Sequence, residues 1–361
     1  MRVDVLVVGA GPAGSCAARE LAEGGVDVLA IDKRKEIGYP VECGEFLPTP
    51  EELRRILPSS EEYGDLFSID REMVERPTSI IELHGPRGLR YDMEFHGITL
   101  DRRKFDKSLW HRAEKAGARL MLGTEMLGLS NQHVAKTSSG EIEFKFIIGA
   151  DGPLSRVRKS VGLPEPKSIS QAITAQAKGD QGDTVRMYFG GVAPGGYAWI
   201  IPKRGGANVG LGVQKRFTDE PVSQMMRRFL DEFKLTTEET AYGQVPVSGP
   251  VKRTVAGNAL IVGDAAGQVM ATNGGGIPIA MICGRIAGRI TAGAIKSGGG
   301  VEDYEREWRR QVAKPLGNAA RTKAMADLFF GSDSRLRFAM KVLGHRGLER
   351  AILCKRPFYL L

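Results

Sequence analysis

The chain has 361 residues, of which 42% are hydrophobic and 26% charged, and its formal net charge is +8. This composition is typical of a globular protein with a substantial core and room for two lobes. The positive charge favours anionic partners such as a membrane surface, but no nucleic-acid-binding motif accompanies it. No apolar run reaches the ~18 residues of a membrane span, so any membrane contact is expected to be peripheral.

The four cysteines, Cys16, Cys43, Cys283 and Cys354, lack the paired spacing of metal sites, so no metal is predicted. An apolar strand begins almost at once, with no signal peptide before it, which predicts a reducing, cytoplasmic compartment. Cys16 and Cys283 fall on predicted helices beside small residues and are interpreted as packing groups. Cys43 falls in a predicted loop, 38–50, which makes it the cysteine best placed for a functional role.

A nucleotide-binding fingerprint opens the chain. The apolar run 3–8 is followed by GAGPAG at residues 9–14 and then by a helical pattern. Gly9 permits a tight turn, Gly11 lets the backbone approach a pyrophosphate, and Gly14 permits close helix–strand packing. The N-terminus of the following helix offers free N–H groups to the phosphates.

A second predicted strand, 26–31, ends at Asp32. An acid at this offset from the glycine turn binds the adenosine ribose and disfavours a 2′-phosphate. The two strands, the glycines and the acid together therefore predict a dinucleotide with an unphosphorylated adenosine.

A later segment has the features of a second wall of the same site. Asp264 follows the apolar run 258–262 and precedes the glycines 274–276 and a predicted helix at 277–295. The aspartate can bond a ribityl chain, the glycines let the backbone run beneath a large ligand, and the helix N-terminus can face a flavin. Taken alone, the segment is equally explained as a helix-capping aspartate with a glycine linker.

Two further segments fit this picture. GADGP at residues 149–153 ends a predicted strand, and it is either a simple turn or a second flavin-binding segment. Arg102 begins a predicted helix at 103–116 and could neutralise cofactor phosphates, although one arginine in a charged run is usually solvated.

Alternating and apolar runs predict the remaining elements. A hairpin is predicted at 78–100, a helix at 222–233 and mostly helical structure from 302 onward. Other strands are predicted at 119–122, 133–136, 141–148, 184–189, 197–202 and 208–214.

These segments resemble the flavoprotein group typified by p-hydroxybenzoate hydroxylase. A closer resemblance is to the archaeal geranylgeranyl reductase family, whose signature is Tyr-x-Trp-x-Phe-Pro followed by Gly-x-Gly. Here the signature reads YAWIIP at 197–202 and GLG at 210–212, with seven residues between the motifs. Ile201 replaces the family's Phe, and 270–273 (MATN) stands where many relatives carry Asp-Pro. The segment 43–46 (CGEF) is similar to the family's cysteine-glycine loop.

The predicted fold class is α/β, with two lobes. It comprises a Rossmann-like FAD domain, an inserted antiparallel-sheet substrate domain and a helical C-terminal region. The FAD domain is expected to be discontinuous, with the limits 1–77, 100–168 and 252–300. The substrate domain is expected at 78–99 and 169–251, and the helical region at 301–361.

The resemblance implies FAD as the cofactor and a set of site residues. The cofactor-binding residues it implies are Gly9, Gly11, Ala13, Gly14, Asp32, Cys43, Gly44, Phe46, Arg102, Met126, Asp264, Gly275, Gly276 and Ile277. The substrate-binding residues it implies are Tyr197, Trp199, Pro202, Gly210 and Gly212, and the catalytic residues are Cys43, Tyr197 and Trp199.

The two aromatic residues of the signature alternate on one strand and so share a face. Taken alone they are better explained as core aromatics of the sheet, but the signature spacing favours a substrate-binding role. Gly210 and Gly212 are expected to leave room for a flat-lying substrate. Cys43, Glu45 and Tyr197 are candidate proton donors, and no motif chooses among them.

The resemblance implies hydride transfer from reduced FAD to the double bonds of geranylgeranyl chains on archaeal ether glycerophospholipids. Ferredoxin or another reduced carrier is the expected electron donor. Three alternatives remain at this point: reduction of the prenyl tail of a quinone, FAD-dependent aromatic hydroxylation, and flavin-bearing lipid binding without catalysis.

Overall fold

Strands and helices alternate through the first part of the chain in the computed structural model, which describes residues 1–357. The strands are β1 (Val5–Val8), β2 (Val28–Asp32), β3 (Phe46–Pro48), β4 (Val74–Gly85), β5 (Leu89–Leu100), β6 (Arg119–Leu122), β7 (Met126–Asn131), β8 (Val134–Thr137), β9 (Gly140–Glu143), β10 (Phe146–Gly149), β11 (Ile169–Lys178), β12 (Val185–Tyr188), β13 (Tyr197–Lys203), β14 (Gly206–Val213), β15 (Thr237–Pro246), β16 (Val255–Ala256) and β17 (Ala259–Ile261).

The α-helices are α1 (Pro12–Glu23), α2 (Pro50–Ile56), α3 (Arg102–Lys115), α4 (Arg156–Ser160), α5 (Val222–Glu232), α6 (Ile277–Ser297), α7 (Asp303–Ala326) and α8 (Asp333–Ile352). Short 3-10 helices lie at Gly64–Phe67, Arg71–Met73 and Gly263–Ala266. The predicted helical C-terminal region is confirmed through α7 and α8, and its last four residues, 358–361, lie outside the described residues.

The first sheet has the strand order β16-β17-β10-β1-β2-β6, and all its pairs are parallel except β16 with β17. β1 is buried along its whole length, as expected of a parallel strand covered on both faces. In register, Val8 lies beside Ile31 on one side and Gly149 on the other. The carboxyl ends of β1, β2 and β10 therefore lie together at one edge of the sheet, which is where ligands bind in α/β proteins.

The second sheet is largely antiparallel, with the order β15-β11-β14-β13-β12-β4-β5-β3. Only β12 and β4 pair in parallel. One face of this sheet packs on α5 through apolar side chains that include Ala198, Ile200, Val209, Met225 and Phe229. The opposite face is turned towards the first sheet and the C-terminal helices. The predicted two-sheet α/β architecture is thereby confirmed.

Several elements differ from the sequence prediction. The single strand expected at 141–148 is two strands, because β9 pairs with β8 in a small three-stranded sheet whereas β10 pairs with β1 and β17. Strands β3, β7, β11 and β15 were not anticipated. β3 and the beginning of β4 pair within the second sheet although they fall in residues assigned to the cofactor domain. The domain limits themselves stay a prediction.

Helix α6 packs along α1 at unusually short range because small residues face each other. A Cβ atom added at Gly284 would lie 2.1 Å from the carbonyl oxygen of Ala13, and one at Gly288 would lie 2.5 Å from that of Ala17. Contrary to the sequence expectation, α6 is long and apolar enough to pass as a membrane span, but most of it is buried within the protein. Its burial identifies it as a core helix.

This packing predicts opposite effects for two glycine substitutions in α6. Gly284→Ala should lower the free energy of unfolding by roughly 1–3 kcal/mol, because the new methyl group forces two helix backbones apart. Gly293→Ala should leave stability unchanged or raise it by about 0.5–1 kcal/mol, since nothing lies within 4 Å of a Cβ there and alanine favours the helix. Urea unfolding measures both, and equal destabilisation by the two variants would contradict the packing argument.

Candidate active site

The turn between β1 and α1 forms one end of a large cavity. Gly9 has a φ of +101° and lies so close to the chain after β10 that an added Cβ would be 2.2 Å from the Ala150 oxygen. Gly9, Gly11 and Ala13 line the cavity. Gly14 does not line it: an added Cβ there would lie 1.8 Å from the Gly9 oxygen. The role predicted for Gly14, close packing, is the one that its surroundings support.

Asp32 lies at the carboxyl end of β2 and lines the same cavity. Its Oδ2 accepts a hydrogen bond from the Ala10 backbone N–H at 2.8 Å. The Arg34 guanidinium forks onto the carboxylate, with Nε 3.0 Å from Oδ1 and Nη2 2.6 Å from Oδ2. Burial raises the pKa of Asp32, but these donors outweigh it and hold the pKa below its usual value. The Asp32 carboxylate is thus held ionised at the wall of the cavity.

Arg34 also lines the cavity and was not identified from the sequence. Its position two residues after Asp32, the predicted ribose-binding acid, was the only available signal. Because Arg34 is the direct partner of that carboxylate, it holds Asp32 in a fixed orientation.

The segment from Asp264 to α6 forms the facing wall. Asp264, Gly275, Gly276 and Ile277 all line the cavity, and α6 begins directly after Gly276. Burial raises the pKa of Asp264 to about 6, and the positive charge of Arg102 opposes this shift only in part. Because Gly276 and Ile277 line the cavity, the N-terminus of α6 faces the same space as the N-terminus of α1. Two helix N-termini suit an anionic ligand.

Arg102 and Met126, both predicted from the resemblance, line the cavity as well. The Arg102 guanidinium forks onto Asp106 at 3.0 and 2.9 Å. Burial lowers the pKa of Arg102, but the Asp106 charge outweighs it and raises the pKa well above its usual value. Arg102 is accordingly a fixed cation at the cavity wall. Met126 is a buried apolar contact at the start of β7.

Tyr197 and Trp199 point from β13 into the cavity, as their alternation predicted. Their ring centroids are 5.8 Å apart, and the Tyr197 ring is 5.7 Å from that of Phe189. The Tyr197 hydroxyl donates to the Asn273 carbonyl oxygen, which joins β13 to the glycine run before α6. Burial raises the pKa of Tyr197, so it stays protonated.

The loop 43–46 lies between the aromatic wall and the cofactor end of the cavity. Cys43, Gly44, Glu45 and Phe46 all line the cavity. An added Cβ on Gly44 would lie 3.0 Å from Ile201 Cδ1, so the loop backbone rests against β13. Here the apolar Ile201 fills the position at which the family carries phenylalanine.

Glu45 is the centre of a buried polar network that the sequence did not predict. It is only 1% exposed and has a positive φ of 61°. Both carboxylate oxygens lie 3.0 Å from Lys203 Nζ, and Oε2 also accepts from Gln176 Nε2 at 2.7 Å and from Asn208 Nδ2 at 2.8 Å. Oε1 accepts from the Arg102 backbone N–H at 3.3 Å. The network joins three strands, one loop and α3.

Asn208 connects this network to two of the three candidate catalytic residues, Cys43 and Trp199. Its Nδ2 donates to the Cys43 carbonyl oxygen at 2.8 Å, and its Oδ1 accepts from Trp199 Nε1 at 2.7 Å. A single amide therefore fixes both the cysteine loop and the indole ring. Asn208 lies between the two signature motifs, six residues after Pro202, and pairs with Ile201 in the sheet. Only the strand register reveals this relation.

Two of the predicted substrate-binding residues do not line the cavity. Pro202 lies between Ile201 and Lys203 on β13 and faces the other side of the sheet. Gly210 lies opposite Trp199, and an added Cβ would be 2.4 Å from Trp199 Cζ2, so this glycine makes room for the indole and not for a ligand. Gly212 does line the cavity, and an added Cβ there would meet nothing nearer than 3.8 Å.

The Asn208 contacts predict that Asn208→Ala destabilises the protein by about 1–3 kcal/mol, because it leaves the buried Trp199 N–H without a partner and removes one donor from the buried Glu45 carboxylate. Urea unfolding measures this, with Gln132→Ala, an exposed amide, as the control. An unfolding free energy within about 0.5 kcal/mol of the unmodified protein would show that the network does not hold the loop.

The chain matches two family models. Residues 167–245 match the geranylgeranyl reductase catalytic domain, and residues 2–39 match an FAD-binding domain. The second match agrees with the glycine turn and Asp32, so FAD is the cofactor that this site binds.

Curated relatives and solved structures agree with these matches. The chain is 36% identical over 334 residues to digeranylgeranylglycerophospholipid reductase of Methanocaldococcus jannaschii, covering 85% of this chain and 82% of that protein. It is 36% identical over 345 residues to the protein of that name from Methanothrix thermoacetophila, covering 88% and 85%.

A geranylgeranyl bacteriochlorophyll reductase-like protein from Thermoplasma acidophilum superposes with a TM-score of 0.81 at 28% identity, covering 94% of this chain and 91% of the other. PqsL of P. aeruginosa, with a TM-score of 0.70 at 15% identity and coverage of 94% and 100%, shares the fold. The sequence matches and the geometry of the site together place this chain in the geranylgeranyl reductase family, as an FAD-dependent reductase.

Proposed function

We propose that the protein saturates the double bonds of geranylgeranyl chains on archaeal ether-linked glycerophospholipids, with reduced FAD as the hydride source. The observation that carries the proposal is the continuity of one cavity of about 1350 Å³, which runs from the FAD-binding segments to an apolar wall. This volume exceeds the ~300–1,000 Å³ typical of small-molecule sites. The two relatives at 36% identity are digeranylgeranylglycerophospholipid reductases, which supports the same substrate class.

The apolar wall suits an isoprenoid chain. It is built from sheet and C-terminal helix side chains that include Ile81, Leu83, Met187, Phe329, Leu336 and Leu348. A polyprenyl chain has no hydrogen-bonding groups, so its affinity comes from burial at about 0.8 kcal/mol per CH₂. Such a wall also excludes water from the reacting double bond.

Saturation of an isolated double bond requires a hydride and a proton. FAD, when bound and reduced, supplies the hydride. In this proposal Tyr197 and Trp199 hold the prenyl chain against the cofactor. The Glu45 network, through Asn208, holds the Trp199 indole and the Cys43 loop in fixed positions relative to each other. Electrons reach the flavin from a reduced carrier such as ferredoxin.

Among the three candidate proton donors, we assign the role to Cys43. The Glu45 carboxylate is paired with Lys203 and accepts all its hydrogen bonds, so it has no proton to give. The Tyr197 proton is engaged with the Asn273 carbonyl oxygen. Cys43 is a free, half-buried thiol that lines the cavity, and its Sγ accepts from the Glu45 backbone N–H at 3.3 Å, which leaves its own proton available.

The activity is tested by anaerobic incubation of the chemically reduced holoenzyme with digeranylgeranylglyceryl phospholipid, followed by mass spectrometry. We expect the lipid to gain pairs of hydrogens up to saturation of the chain. A lipid of unchanged mass would overturn the proposal. Faster turnover of a prenylated quinone would assign the quinone tail as substrate, and incorporation of oxygen into a product under air would assign hydroxylation.

Two variants should separate cofactor binding from substrate binding. Asp32→Ala is expected to weaken FAD affinity roughly 10- to 100-fold, because it removes a charged acceptor from the ribose site. Trp199→Ala is expected to retain FAD and to lose at least about tenfold in turnover, because the apolar wall loses its largest ring. FAD titration and the reduction assay measure the two effects.

Asp27→Ala is the matched control for the first variant, since Asp27 is exposed and precedes the same strand. Unchanged FAD affinity in Asp32→Ala would contradict the ribose role. Loss of flavin from Trp199→Ala would instead place β13 in the cofactor site.

A further inference from the structure

Exposed apolar side chains gather where the two C-terminal helices meet the cavity. Leu328 is 71% exposed, Phe338 65%, Val342 56% and Met325 37%. They lie at the end of α7, in the turn that follows it and in the first half of α8. Met325, Phe338 and Val342 also line the cavity, so they mark its opening on the surface.

Helix α8 has two apolar faces. Leu336 and Met340 are buried and pack against the core, whereas Phe338 and Val342, four residues apart, lie together on a different face. A helix of a globular protein needs only one apolar face to pack on its core. Within residues 1–357 this second face is left exposed, and its side chains suit an apolar partner.

Cations surround this second face. Arg335 and Lys341 each lie three residues from Phe338, so both are its neighbours on the helix. Both are exposed, and within residues 1–357 neither has an ion-pair partner. Residues 333–356 contain seven Lys or Arg and two acidic residues. The partner that fits this face therefore has an anionic surface and an apolar layer beneath that surface.

We propose that the mouth patch, defined as Met325, Leu328, Arg335, Phe338, Lys341 and Val342, docks the protein on an anionic lipid bilayer. Docking inserts the apolar side chains below the headgroups while the two cations remain among the phosphates. Lipid chains then pass directly from the bilayer into the cavity without crossing water. This inference rests on the proposed function, because it takes a membrane lipid as the substrate.

A second copy of the chain is a poorer fit to the patch. In a symmetric dimer the same patch meets itself, which would bring unpaired Arg335 and Lys341 side chains of two chains together. Each chain also carries a net charge of +8, so long-range repulsion opposes such a contact. A dimer of this kind would in addition close the cavity mouth.

The test is flotation of the FAD-loaded protein with vesicles of phosphatidylcholine, with and without phosphatidylglycerol. We expect binding that requires phosphatidylglycerol and weakens as salt rises. Arg335→Glu with Lys341→Glu should weaken binding roughly tenfold or more, since two attractive charges become repulsive. Phe338→Ser with Val342→Ser should also weaken it.

Each pair of substitutions has a control elsewhere on the surface. Lys252→Glu with Arg253→Glu makes the same charge change at exposed positions outside the patch, and Leu127→Ser with Tyr242→Ser removes exposed apolar side chains. Vesicle binding should weaken in the patch variants. It should be retained in Lys252→Glu with Arg253→Glu, which lowers the net charge by the same amount outside the patch. Equal loss in control and patch variants, or no vesicle binding by the unmodified protein, would overturn the proposal.

Two further measurements separate this inference from its alternatives. Arg335→Glu with Lys341→Glu should reduce a detergent-dispersed prenyl lipid as fast as the unmodified protein and reduce the same lipid in vesicles more slowly. Absence of reduction in detergent by the unmodified protein would reject the proposed function and leave the vesicle-binding result interpretable by itself. Conversion of a dimer to a monomer by the patch variants in sedimentation velocity would assign the patch to self-association and overturn bilayer docking.

Discussion

The buried carboxylate of Glu45 joins the parts of the molecule that make the site. Its partners come from β11, β13, β14 and the beginning of α3, and it lies in the loop that carries Cys43. A carboxylate removed from water is costly unless charge and hydrogen bonds replace the lost solvent, and here Lys203 supplies the charge. Loss of Lys203 would leave the buried charge uncompensated, and the shared hydrogen bonds hold the sheet, the loop and the helix in a single geometry.

From this point the cavity divides into two regions of different chemistry. Towards the first sheet lie helix N-termini, Asp32 and Arg102, which suit the phosphates and sugars of FAD. Towards the second sheet the lining is mainly aromatic and aliphatic, with a few polar side chains such as Ser170, Thr174 and Gln244. PqsL shares this fold at 15% identity. Because one fold can host many functions, we base the proposed substrate on the residues that line the cavity and not on the fold.

The residues predicted for the cofactor end line the cavity, apart from Gly14, and their positions depend on local backbone geometry. A glycine at positive φ, a helix N-terminus and an acid at a strand end are features of neighbouring residues, and they can be read in order along the chain. Two of the five substrate-binding residues predicted from the signature do not line the cavity. Pro202 faces the wrong side of the sheet, and Gly210 accommodates Trp199, because both depend on which strand face and which neighbour each residue meets.

The sequence by itself determined the dinucleotide fold, the position of its phosphate-binding turn and the family, because these follow from residue type and short spacing. Only the tertiary structure decided that Glu45 is shared by Lys203, Gln176 and Asn208, residues separated from it by more than a hundred positions. It also decided that the exposed face of α8 borders the cavity. Such relations depend on strand register and helix packing across the whole chain, and no local pattern encodes them.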